Sequence, residues 1–169
     1  MPQRGKARGF CIFALRPGKQ AEVQVFQGKW YGEVAVGDRF GTSVTVTEAH
    51  LVLAAGLFGD FNPLHVDEEF ARRSRFGGRI LHGPFTSALV SAPVGMYFSG
   101  TAIAYLEHAC RFKAPVRPGD TLKTEWQVLE KLDKPKHKGG ICVLRGAAVN
   151  QKGETVIEAD GKILVSGKP

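Results

Sequence analysis

From Gly83 to Ser99 the chain carries no charged side chain, and a helix of that composition has no face made for water. Pro84 stands where a first helical turn would begin, a position at which its missing N–H costs nothing. Ala88, Ser91, Ala92 and Gly95 form a small-residue stripe, while Phe85, Leu89 and Met96 supply bulk. The segment is therefore expected to lie inside the protein, with Pro93 kinking it or ending its regular part. It is not a membrane span: crossing a bilayer takes roughly 20 consecutive apolar residues, and no apolar run here approaches that.

A buried helix needs a cover, and the sequence supplies one. After Thr101 the hydrophobic period changes to that of strands, with four expected at about 102–113, 121–131, 141–150 and 155–165. They are separated by Arg117-Pro118-Gly119-Asp120, by a charged loop over Leu132–Gly140, and by the hairpin signal Asn150-Gln151-Lys152-Gly153. Trp126 reads as sheet packing. Upstream, Phe40, Thr42, Val44 and Val46 alternate as a further strand, and Thr47-Glu48 reads as an N-cap with an acid in the first turn. The helix after it, Leu51–Phe58, is apolar on every side and is expected to be buried, with Gly59 as its stop. A short helical turn is expected at Asp67–Arg73. The fold class is α+β, an antiparallel sheet covering a central helix.

At 169 residues there is room for one domain, which buries roughly 70% of the surface its unfolded chain exposes. The net charge of +7 invites a nucleic-acid reading. Five basic residues and no acid fall within residues 1–20, so the rest of the chain carries only +2. The basicity belongs to an N-terminal extension over 1–27, the domain occupies 28–169, and nucleic-acid binding is not its expected task. Cys11, Cys110 and Cys142 are odd in number and lack C-x-x-C spacing. That suits a reducing, cytoplasmic setting without a structural metal. Phe10–Leu15 is too short an apolar run for a signal peptide.

The chemistry concentrates in Gly59-Asp60-Phe61-Asn62-Pro63-Leu64-His65-Val66-Asp67. Pro63 keeps Asn62 out of helical geometry, so the chain bends between Asp60 and His65 and can bring both to one side. A carboxylate and an imidazole converging on one point can hold a water and exchange protons with it. The same residues also support a plainer reading: Asp60 caps a turn, Asn62 makes an Asx-turn, and His65 is a solvated loop histidine. Asp60, His65 and Asp67 are candidate metal ligands, but no second His or Cys has a recognisable ligand spacing.

Gly59–Asp67, followed by Ile80-Leu81-His82-Gly83 and then by Phe112-Lys113-Ala114-Pro115-Val116-Arg117-Pro118-Gly119-Asp120-Thr121-Leu122, resembles the MaoC-like hydratases and dehydratases, which include the (R)-specific enoyl-CoA hydratases. The resemblance spans roughly Tyr31–Val165. It implies a hot-dog fold, usually dimeric, with active sites near the subunit interface. It also implies reversible hydration of an enoyl thioester or dehydration of a 3-hydroxyacyl thioester, without cofactor or metal. By the same resemblance Asp60 and His65 match the catalytic pair, Asn62 the residue shaping their loop, and Gly83 the glycine whose N–H binds the thioester oxygen. Pro84 and Pro93 depart from the family pattern. Arg75 and Arg79 are candidates to bind CoA phosphates or an acyl carboxylate, whereas Arg72 and Arg73 read as a solvated face. His82 reads as structural, and His108 as a core or interface histidine. Other readings stay open: an acyl-carrier-protein dehydratase, a hot-dog thioesterase, or a non-catalytic thioester-binding subunit of a heteromeric dehydratase.

Overall fold

The computed structural model describes residues 27–169; the expected basic extension, Gln27 apart, lies outside the described residues. Gly28 and Lys29 donate their backbone N–H groups to the carbonyls of Ser99 and Tyr97 at 2.7 and 3.0 Å. Strand β1 (Arg39–Thr45) leads into helix α1 (Glu48–Phe58), followed by α2 (Pro63–Val66), α3 (Glu68–Arg73) and α4 (Gly83–Tyr97). Strands β2 (Ala102–Phe112), β3 (Thr121–Lys134), β4 (Gly139–Val149) and β5 (Thr155–Val165) complete the chain. They form one sheet in the order β1-β3-β4-β5-β2, with every neighbour antiparallel. The sheet wraps α4, as the sequence implies.

Alternation on the strands sets the core. On β3 Leu122, Thr124, Trp126 and Val128 are buried, while Lys123 and Glu125 face out. Trp126 donates its Nε1–H to the Val90 carbonyl of α4 at 2.7 Å, which satisfies the one polar atom of a fully buried ring. Opposite it on β4, a Cβ at Gly146 would lie 2.5 Å from the Trp126 ring. Only glycine lets that ring lie flat between sheet and helix.

The turns follow local chemistry. Gly59 ends α1 in the left-handed conformation, φ 69°, with its N–H on the Ala55 carbonyl. Asp67 caps α3 by accepting from the Phe70 N–H at 2.9 Å.

Four expectations need correction. Helix α1 buries Leu51, Ala54 and Ala55 but exposes Val52, Leu53 and Leu57, the last at 73%. Helix α4 buries Thr86, Val90, Pro93 and Val94 but leaves Ala88, Ala92, Gly95 and Met96 open, the last at 61%. A five-stranded sheet covers only one side of a helix, so absence of charge did not mean burial within the single chain. The charged loop expected over 132–140 is mostly strand: β3 runs to Lys134, β4 begins at Gly139, and a 3₁₀ turn at Pro135–His137 joins them. Pro93 does not end α4, which continues to Tyr97.

Candidate active site

Asp60 and Asn62 make the local turns that their residue types favour. Asp60 Oδ1 accepts from the Asn62 N–H at 3.1 Å, and Asn62 Oδ1 accepts from the Leu64 N–H at 3.0 Å. With Pro63 as its first residue, α2 therefore starts on an Asn cap. These are the turns of the plainer reading, yet they do not use up the site. The second oxygen of Asp60, Oδ2, lies 3.8 Å from His65 Nε2. The His65 side chain is only 12% exposed, against 49% for Asp60, so His65 is not a solvated loop residue.

His65 is held in one tautomer. Its Nδ1 lies 2.8 Å from the Ile80 carbonyl oxygen, which can only accept. A proton is therefore on Nδ1, so in the neutral ring it is Nε2, toward Asp60, that offers the lone pair. The Ile80 N–H in turn donates to the Leu64 carbonyl, and the Leu81 N–H to the Val116 carbonyl at 2.7 Å. The loop after α3 is thus pinned between α2 and the segment that follows β2.

His82 packs behind the pair. Its Nε2 lies 2.9 Å from the Asp60 carbonyl oxygen and so carries the proton, and its ring stacks on that of His65 with centroids 3.7 Å apart. Asp60, His65 and His82 bring ligand-type atoms within 4.8 Å of one another. Their arrangement suits a metal poorly, because imidazole lone pairs lie in the ring planes and the two rings lie face to face, so their nitrogens do not converge on one point. The trio is held by one hydrogen bond, from His82 to the Asp60 carbonyl, and by the stack of the two imidazoles.

Gly83 opens α4 directly after His82. Backbone N–H groups in a first helical turn have no intrahelical acceptor and sit at the positive end of the dipole; Pro84 removes one such donor and leaves that of Gly83. The Phe112 ring lies against Gly83 so closely that a Cβ there would be 3.3 Å from Phe112 Cζ. His65, Arg75, Gly83, Thr86, Phe112 and Lys113 line one cleft.

The candidate binding residues separate. Arg75 lines the cleft, its guanidinium 5.1 Å from the Phe76 ring centroid. Arg79 is committed elsewhere, with Nε 2.9 Å from Glu68 and Nη2 2.9 Å from Glu48. Its hydrogen bond to Glu68 raises the Arg79 pKa and lowers that of Glu68. Arg79 ties α1 to α3 behind the dyad. Arg72 pairs with Glu68 and Glu69 on its own helix. Asn62 contacts backbone through its side-chain oxygen. Sequence reasoning missed Thr86 and the clamp made by Arg117, which donates to the carbonyls of Phe76 and Gly78. The signal for Arg117 was present, since it lies in the third matching element.

His108 bonds to Ser87 at 2.8 Å and to Tyr105 at 2.9 Å, and burial lowers its pKa.

A model of the MaoC-like domain matches residues 33–149. The chain belongs to the MaoC-like family. It is 30% identical to an (R)-specific enoyl-CoA hydratase of Rhodospirillum rubrum, over 82% of this chain and 93% of that one. It is 33% identical to a 3-hydroxybutyryl-CoA dehydratase of Methylorubrum extorquens, over 69% and 75% of the two chains. Among solved structures, an unliganded R-hydratase of Pseudomonas aeruginosa superposes with a TM-score of 0.73 at 35% identity, covering 82% of this chain and 86% of that one. The sheet-wrapped helix is the hot-dog fold of this MaoC-like family.

Proposed function

We propose that this MaoC-like chain is a hydro-lyase that reversibly adds water across an enoyl-CoA thioester, with Asp60 and His65 activating the water and the Gly83 N–H binding the thioester oxygen. The observation that carries this reading is the facing of Asp60 Oδ2 and His65 Nε2 at 3.8 Å. That separation is too long for a direct hydrogen bond and short enough for one water oxygen to reach both.

In the hydration direction the His65 ring works in its neutral form, with Nε2 free to take a proton. It first accepts one from water while Asp60 holds the other hydrogen of that water, and the oxygen adds to the β-carbon. The proton on Nε2 then passes to the α-carbon. Between these events negative charge builds on the thioester oxygen, where a preorganised N–H donor is worth on the order of 10²–10³ in rate. Water adds with no net change in oxidation, so no redox cofactor is required. Arg75 at the cleft wall suits the phosphates of CoA, and Asn62 serves by shaping the loop. Arg79 contributes to substrate binding only if it leaves its two glutamates. A panel of short enoyl thioesters, on CoA and on acyl carrier protein and followed by loss of the conjugated-thioester absorbance, tests the reading. Turnover only on the carrier protein would move the substrate to that class.

The free thiols of Cys110 and Cys142 suit a reducing compartment, which supports a cytoplasmic setting, and no helix among the described residues is long and apolar enough to cross a membrane. Strand β2 is a sheet edge that exposes Ile103, Tyr105, Leu106 and Phe112, and α1 and α4 add open apolar surface. Such an edge and such a patch are seldom left bare. A homodimer is the expected state: light scattering at micromolar concentration returns twice the 18.3 kDa chain mass or a higher even multiple, and a monomer contradicts it.

A further inference from the structure

His82 is the least exposed polar residue near the dyad, at 1%, and the reaction as derived does not use it. It is joined to three groups that the reaction does use. Its Nε2–H donates to the Asp60 carbonyl at 2.9 Å. Its ring stacks on His65 at 3.7 Å, with 27° between the planes. Its carbonyl carbon forms the peptide bond to the Gly83 nitrogen, and its carbonyl oxygen accepts from the Thr86 N–H at 3.0 Å and from the Thr86 hydroxyl at 3.2 Å. The first turn of α4 is thereby held in place. The Phe58 ring meets the imidazole edge-on at 6.2 Å.

The remaining nitrogen, Nδ1, is buried without a hydrogen-bond partner. A buried polar atom left unpaired costs free energy. If the position asked only for a flat ring to fill space, phenylalanine would fill it without that cost. The imidazole gains one thing that phenylalanine lacks, the hydrogen bond to Asp60.

We propose that His82 is a positioning residue that sets the mutual geometry of Asp60, His65 and the Gly83 N–H. The proposal rests on the dyad reading above. His82 acts on the carboxylate through the Asp60 backbone, on the imidazole through the stack, and on the oxyanion donor through the chain itself. Reacting groups displaced by about 1 Å can lose about 100-fold in rate, so one residue holding all three has leverage on turnover without touching substrate.

Two substitutions divide its contacts. His82→Phe keeps a buried flat ring and removes the donor; His82→Gln keeps a donor and removes the stack. In full-length protein with unchanged circular dichroism, each is expected to lower kcat by about 10–100-fold with KM within about threefold. A residue acting through the dyad has little left to do once the dyad is disabled. His82→Phe added to Asp60→Asn is therefore expected to stay within about threefold of Asp60→Asn alone. Folded single variants with wild-type kcat would overturn the proposal, and so would losses that multiply in the double variant. Failure of both His82 variants to fold would make it a folding residue and overturn the positioning role. Full turnover in Asp60→Asn alone would instead bring down the dyad reading, and this proposal with it.

Discussion

Asp60→Asn and His65→Gln each lower turnover of an enoyl-CoA by at least about 100-fold, the low end of what general acid–base groups contribute, and leave the far-UV circular dichroism unchanged. Both substitutions nearly preserve side-chain size. Asparagine at 60 keeps an oxygen to accept from the Asn62 N–H, the bond that shapes the turn. Glutamine at 65 keeps a polar side chain of similar length, its amide matching the place of Nε2 rather than of the Nδ1 that meets the Ile80 carbonyl. What each removes is proton transfer: the charged Oδ2 in one case and the Nε2 lone pair in the other, the two atoms that face each other at 3.8 Å. Near-normal turnover in either folded variant would mean that water is activated elsewhere.

Trp126→Ala is expected to destabilise the fold by about 3–5 kcal/mol, the usual cost of emptying a buried Phe or Trp site. The ring is fully buried, lies over Gly146 and ties β3 to α4 through the Val90 carbonyl. The glycine that lets the ring lie flat also limits collapse, because Gly146 has no side chain with which to fill the space. Urea denaturation measures it, through a lower midpoint at an unchanged slope. A loss below about 1 kcal/mol would place the centre of the core elsewhere.

Trp126 also marks what was legible in the sequence. Its place on a sheet follows from period-two alternation, and Gly59 and Asp67 announce an ending and a beginning by backbone preference alone. These are local signals, and the structure carries them where the residues imply. The corrections concern what surrounds an element. Leu57 and Met96 look buried because they are apolar, yet nothing in the single chain packs over them; composition records what a face is made of and not what covers it. Leu132–Gly140 looks like a loop because it is charged, yet Leu132, Asp133 and Lys134 pair with Ile141, Gly140 and Gly139 while Asp133 and Lys134 stay exposed to water, where a strand tolerates charge.

The site divides the same way. Asp60 and His65 stand five residues apart, and an Asn-Pro turn between them makes their convergence readable. Arg75 and Arg79 are indistinguishable by spacing; only the fold puts Glu48, 31 residues upstream, against Arg79 and leaves Arg75 on the cleft. The contact of His82 with Asp60 spans 22 residues and leaves no trace in any local pattern.

The most direct test of the central claim is hydration of a short trans-2-enoyl-CoA by the full chain after dialysis against a strong chelator, with Asp60→Asn beside it. If Asp60 and His65 activate water by themselves, the conjugated-thioester absorbance falls as 3-hydroxyacyl-CoA accumulates, in the chelated wild type and not in the variant. A folded wild type that leaves the absorbance unchanged, or that hydrates only after a metal ion is restored, would contradict the account.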